Sequence, residues 1–162
     1  MPPPDFDTVI QRLNEHNIAF VLIGGMAAMA HGASLVTFDV DVCSSFDAGN
    51  LFKIQKAFAD VHPVHRMTPQ KLPLEITPQN VSTLRNLYLN TDIGVIDFLS
   101  EVTGVGDYAA ALAQSVEIEL PSGSCRVLGI DALIRAKRLV NRTQDKIAIS
   151  QLLAIKQKGG HL

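Results

Sequence analysis

Residues 20–42, FVLIGGMAAMAHGASLVTFDVDV, decide the fold. The run Phe20-Val21-Leu22-Ile23 is apolar and β-favouring, which predicts a buried strand. Gly24-Gly25 follow at once, and 26–31 has the composition of a short helix. After a turn at 32–34, a second apolar segment ends in Asp39-Val40-Asp41. Alternate residues of a strand share one side, so the two carboxylates face together while Val36, Phe38, Val40 and Val42 point the other way. Like charges on one face repel unless a cation lies between them. The stretch thus combines a glycine turn that lets phosphate approach the backbone with a carboxylate pair suited to a metal.

The rest of the chain supplies support for this unit. At 162 residues it is expected to form one domain, 1–162, with a core large enough to need no disulfide or structural metal. Hydrophobic residues make up 47% and charged residues 19%, as in a compact globular protein. The net charge of −2 carries no global signature of nucleic-acid binding. It conceals a basic segment: 131–158 holds Arg135, Lys137, Arg138, Arg142, Lys146, Lys156 and Lys158 against Asp131 and Asp145. Most of these suit a solvated helical face, and a few are candidates to meet a nucleotide's negative charge. Cys43 and Cys125 form no CxxC motif or disulfide framework. The opening MPPPDFDT lacks the features of a leader, and 19–30 falls short of the roughly 20 apolar residues of a membrane helix. A cytoplasmic protein with no membrane association is expected.

Outward from the central stretch, 1–4 is expected as a loose tail and 5–16 as a helix with Phe6, Val9, Ile10 and Leu13 on one side. A helix is expected over 48–60, with Leu51, Ile54, Ala57 and Phe58 as its stripe. Prolines 69, 73 and 78 make 64–82 irregular, with one short strand near 74–77. Segments 84–90 and 94–99 flank a turn at 91–93 and predict a hairpin. Its second arm carries Asp97 among apolar neighbours, where a charge is paired, edge-exposed or functional. A short helix over 107–113, a second hairpin from 116–120 and 125–128, and closing helices within 130–158 complete the reading.

Several residues admit a structural role beside a functional one. An Asp-x-Asp by itself is commonly strand-end solvation or capping. His31 reads as structural, Thr37 suits either the turn or a ligand, and Asp145 suits a cap beside Thr143. Lys137 is balanced between a phosphate contact and a solvated face. His62 and His65 have no ligand partner in the sequence and stay unassigned.

The wider pattern tips that balance. Gly24-Gly25, a spacer of this size, then Asp39-Val40-Asp41 and a later Asp97 resemble the signature of the DNA polymerase β-like nucleotidyltransferases. Gly24, Gly25, Ala27, His31, Gly32, Thr37, Asp39 and Asp41 together are similar to small prokaryotic members related to the AbiEii-type toxins, and Leu133, Ile134, Lys137 and Asp145 fit that group's closing helices. The resemblance covers roughly residues 18–153. It implies an α/β (α+β) nucleotidyltransferase fold: a mixed sheet flanked by helices, with a C-terminal helical hairpin. It also implies transfer of an NMP group from an NTP to a hydroxyl of a small molecule, protein or tRNA.

By the same resemblance, Asp39, Asp41 and Asp97 are the catalytic and metal-binding residues for two Mg²⁺ ions, with Mn²⁺ as a substitute. Asp39 and Asp41 would bridge the ions, and Asp97 would complete the acceptor-side site and take the hydroxyl's proton. Gly24, Gly25, Thr37 and Lys137 would bind the nucleotide. Three positions depart from the pattern: Leu35 stands for an Arg, Gly25 for the common Ser, and Gln144 for a Lys. Each removes a phosphate contact, which leaves a catalytically degenerate binding or interaction module, one half of a toxin–antitoxin pair, as the alternative. Larger relatives carry a separate helical domain for the acceptor, so a homodimer or partner protein is expected to complete the site here.

Overall fold

The computed structural model describes residues 5–159; the tail expected at 1–4 lies outside the described residues. Helix α1 (Phe6–Glu15) starts where the Asp5 carboxylate accepts the Thr8 N–H at 3.2 Å, and it buries Val9, Ile10 and Leu13. Asn17 adopts a left-handed conformation (φ 53°) and turns the chain into β1 (Phe20–Ile23). All four β1 residues are buried, as a continuous apolar run in a central strand requires. Gly24 opens α2 (Gly24–Ala30), and the chain returns through β2 (Asp39–Ser44), antiparallel to β1.

Helix α3 (Ala48–Phe58), capped by Asp47, leads through a 3₁₀ turn to the two-residue strand β3 (Val64–His65). The expected hairpin forms as β4 (Asn86–Thr91) and β5 (Gly94–Leu99). A small separate ribbon of β6 (Glu101–Val102) and β7 (Gly106–Asp107) precedes α4 (Tyr108–Ala113). The second hairpin is β8 (Ser115–Leu120) and β9 (Gly123–Leu128), and α5 (Ile130–Val140) and α6 (Thr143–Gln157) close the chain as a packed pair.

Seven strands form one mixed sheet in the order β3-β4-β5-β2-β1-β9-β8. The β2–β5 and β1–β9 pairs are parallel and the others antiparallel. Helix α1 packs on α3 and β9, while α2 packs on β1, β2 and both closing helices. Among the described residues, no helix is long and apolar enough to cross a membrane.

Two expectations are corrected. Residues 35–38 do not extend β2: Val36 is 86% exposed and Phe38 47% exposed. The ladder stops because β5 begins only at Gly94, its register pairs Val95 with Asp39, and β1 has already turned away at Gly24. Residues 74–77 form no strand either. The prolines remove ladder donors, leaving one isolated bridge between Val64 and Pro73. Gln55 holds this segment instead: its Nε2 donates to the Ile76 carbonyl at 3.2 Å and its Oε1 accepts the Ile76 N–H at 2.5 Å.

Buried Asn50 fastens the central strands. Its Oδ1 accepts the Ala19 N–H at 2.8 Å, and its Nδ2 donates to the carbonyls of Ala19 (3.2 Å) and Ser45 (2.7 Å). Asn50→Ala leaves these partly buried backbone groups without their side-chain partner and is expected to cost about 2 kcal/mol. A melting temperature lowered by about 4–8 °C checks this.

Candidate functional site

The sheet register assembles the carboxylates. Asp39 and Asp41 are two apart on β2, and the parallel β2–β5 pairing sets Asp41 directly beside Asp97. One carboxylate oxygen from each of the three lies within 4.8 Å of the others. Asp97 is buried at 6% exposure, and its Oδ1 is enclosed with no N–H or hydroxyl donor. The Asp41 and Asp97 carboxyls sit side by side, so the charge of Asp97 makes Asp41 harder to ionise.

This crowding shifts the titration of both groups. Burial, reinforced by the charges of Asp97 and Asp39, pushes Asp41 from its ordinary 3.8 up to about 7. Burial also raises Asp97, against the opposing pull of the Arg66 guanidinium. An all-oxygen donor set with an undonated buried oxygen and a carboxyl reluctant to ionise alone fits a hard divalent cation such as Mg²⁺ or Mn²⁺.

The glycine turn lies against this cluster. The β1–β2 register places Ile23 opposite Asp41, so Gly24 arrives beside that carboxylate with φ at +68°. A Cβ on Gly24 would sit 2.7 Å from Asp41 Oδ2, and one on Gly25 would sit 3.1 Å from Thr37. Gly24→Ala is therefore expected to cost about 1–3 kcal/mol through left-handed strain and the contact with Asp41. A lowered melting temperature together with loss of any stabilisation by Mg²⁺ checks both effects in one series of melts.

A cleft of about 250 Å³ opens from the turn. Gly24, Gly25, Thr37, Asp39, Asp41 and Lys137 line it with Arg142, and the exposed Val36 and Phe38 form part of its wall. Of the seven residues singled out in the sequence, six share this cleft; Asp97 is buried next to Asp41 and does not line it. Thr37 Oγ1 donates to the Asp39 carbonyl at 3.3 Å, so it braces the strand from which the carboxylates project. His31 is buried, with Nε2 2.8 Å from the Leu128 carbonyl, in the structural role expected of it.

Lys137 belongs to no solvated face: its side chain is 11% exposed and its Nζ lies 3.8 Å from Asp145 Oδ1. Burial lowers its pKa, with the nearby Arg142 charge adding to the shift and Asp145 opposing it. Asp145 is more than a helix cap. It accepts the Arg142 backbone N–H at 3.0 Å, Arg142 Nε at 2.8 Å and Nη2 at 3.2 Å, at the turn joining α5 to α6. Of the basic segment, only Lys137 and Arg142 line the cleft, whereas Arg135, Arg138 and Lys156 border a separate groove beside Leu139 and Leu153.

Arg66 is a residue that the sequence reading missed. It lies just beyond β3 in the proline-rich segment, and its Nη2 donates to Asp97 Oδ2. No local motif marks it; only the strand register brings it to the cluster.

No family model matches the chain, and no curated protein matches it. Solved structures do. A lincosamide antibiotic adenylyltransferase, LnuA, with lincomycin bound, superposes with a TM-score of 0.65 at 11% identity, over 96% of this chain and 99% of that one. An antigenic nucleotidyltransferase-like protein from Paracoccidioides brasiliensis superposes with a TM-score of 0.59 at 14% identity, over 96% of this chain and 78% of that one. At such identities the likeness is one of fold. The chain has the α/β nucleotidyltransferase fold, with a mixed sheet and a closing helix pair.

Proposed function

We propose that this chain, as a single domain, transfers the nucleoside monophosphate of an NTP to a hydroxyl of a small-molecule acceptor, with Mg²⁺ or Mn²⁺ at Asp39 and Asp41. The observation that carries this reading is the convergence of three carboxylates beside the Gly24-Gly25 turn at the mouth of a cleft also lined by Lys137 and Arg142. A divalent cation held by Asp39 and Asp41 would offset phosphate charge and make the acceptor hydroxyl easier to deprotonate. Gly24 and Gly25 leave room for the triphosphate to meet backbone N–H groups, with Thr37 bracing the loop beside it. Lys137 and Arg142 offset its charge.

In the transfer, the acceptor oxygen bonds to the α-phosphorus as the bond to the bridging oxygen breaks, and pyrophosphate leaves. Asp97, paired beside Asp41 and with Oδ1 left open by Arg66, is assigned to take the hydroxyl's proton. The near-complete overlap in length with LnuA, whose acceptor is a lincosamide, supports a small molecule over a protein or tRNA.

Incubation with each α-³²P-labelled NTP, Mg²⁺ and a cell extract separated into small molecules, RNA and protein tests this reading. Label in the small-molecule fraction, absent with Asp39→Asn, is the expected result. A second reading, a non-catalytic nucleotide-binding module of the toxin–antitoxin kind, is favoured by the engagement of Asp97 with Arg66 and of both cleft cations with Asp145. It predicts nucleotide binding with no label in any fraction.

A further inference from the structure

Three adjacent strands and the residue after β3 build a row across the sheet. Asp41 pairs with Asp97, and Asp97 pairs with Tyr88 on β4. The Arg66 N–H then donates to the Tyr88 carbonyl at 3.0 Å, continuing the β3–β4 ladder by one step. Directly paired residues project from the same side of a sheet. The Tyr88 ring therefore stands between the Arg66 backbone and Asp97, and the guanidinium lies over it with its carbon 5.5 Å from the ring centroid.

Arg66 is held, with no freedom to sweep through solvent. Its side chain is 23% exposed, its Nη2 donates to Asp97 Oδ2, its Nη1 lies 3.1 Å from Met67 Sδ, and its Nε is buried. The charge balance has a direct consequence. Counted over the cluster alone, three ionised carboxylates and one guanidinium leave two negative charges, the complement of a single divalent ion. Lys137 and Arg142 in the same cleft are engaged by Asp145.

We infer that Arg66 takes the place of a second cation against Asp97 Oδ2, so that the cluster holds one divalent ion, anchored on Asp39 and Asp41. This rests on the proposed function only in placing a metal at that cluster. One Asp97 carboxylate oxygen, Oδ2, is committed to the guanidinium, which leaves Oδ1 as the oxygen open to act. Arg66 is thus a positioning residue that fixes Asp97 and sets the ion count. A guanidinium suits this because it stays protonated, stacks on an aromatic face and is more weakly hydrated than an ammonium.

Titration of the protein with Mn²⁺ alone, with bound ion counted by electron paramagnetic resonance, tests the inference without reference to activity. Wild type is expected to bind one ion per chain, lost in Asp39→Asn. Arg66→Gln frees the Asp97 carboxylate and is expected to bind two. The double variant Arg66→Gln/Asp97→Asn replaces the ion pair with neutral groups and should keep one ion, anchored on Asp39 and Asp41. Two ions in wild type, one in folded Arg66→Gln, or loss of the ion in the double variant would each overturn the inference. No Mn²⁺ binding sensitive to Asp39→Asn would instead overturn the proposed function. Should Arg66→Gln fail to fold, the wild-type count and the double variant decide.

Discussion

Asp41→Asn is expected to abolish nucleotidyl transfer and, in the same protein, to raise the melting temperature of the metal-free chain above pH 7. The first effect follows from removal of a carboxylate from the proposed metal site, with an expected loss on the order of 10³-fold in rate. The second follows from the same crowding that makes the site. Asp41 titrates near 7 because ionising it in the fold means burying a charge beside Asp97 and Asp39. A carboxyl whose native pKa lies above its unfolded one destabilises the fold once the unfolded chain has lost its proton. The penalty is absent below about pH 4, grows as pH rises towards 7 and is complete above it.

At 1.36 kcal/mol per pKa unit the full penalty is on the order of 4 kcal/mol, and asparagine escapes it. The stability difference between Asp41→Asn and wild type should therefore widen between pH 4 and 7 and then stay level. Melts in chelator across that range check it. Mg²⁺ should stabilise wild type by mass action, increasingly as pH rises, and leave the variant unmoved. A site residue whose removal stabilises the protein is one retained at a cost in stability for what it binds.

Asp145→Ala is expected to have the largest effect on stability. Its carboxylate is 2% exposed and serves the Arg142 backbone, the Arg142 guanidinium and the buried Lys137 ammonium together. Removing one partner of a buried pair leaves the other charge without compensation, which costs about 3–5 kcal/mol. A melting temperature lowered by roughly 6–20 °C is expected. Burial pushes the Asp145 pKa up, but its hydrogen bonds and ion pairs with Arg142 and Lys137 outweigh this and hold it below the usual carboxylate value. Its contribution is therefore full above about pH 4 and is lost as pH falls through its lowered native pKa. Asp145→Ala should accordingly narrow the stability gap between neutral and acid pH. Nucleotide affinity should fall too, because α6 then loses the anchor that holds Arg142 over the cleft.

Local chemistry made much of this architecture legible. The apolar run before Gly24, the two-residue spacing of Asp39 and Asp41, and Asp97 within an apolar strand each carry their meaning within a few positions. The closing helices, Ile130–Val140 and Thr143–Gln157, were equally plain from composition and turn. What stayed hidden depends on pairing between distant segments. Val36 and Phe38 look like strand residues, and only the start of β5 opposite Asp39 reveals that no partner exists for them. Arg66 follows a two-residue strand, too short to leave a periodic signal, so its approach to Asp97 appears only through the β3–β4–β5 register. Lys137 was balanced between surface and site because its burial is decided by Asp145 on the next helix.

Parallel reactions with α-³²P- and γ-³²P-labelled NTP distinguish nucleotidyl transfer at the carboxylate cluster from any other use of the NTP. With Mg²⁺ and the small-molecule fraction, α-label should enter the acceptor while γ-label appears only in pyrophosphate. Both signals should vanish in Asp39→Asn. Transfer of γ-label to the acceptor would mean phosphoryl transfer and would contradict the account, as would α-label transfer that survives in Asp39→Asn.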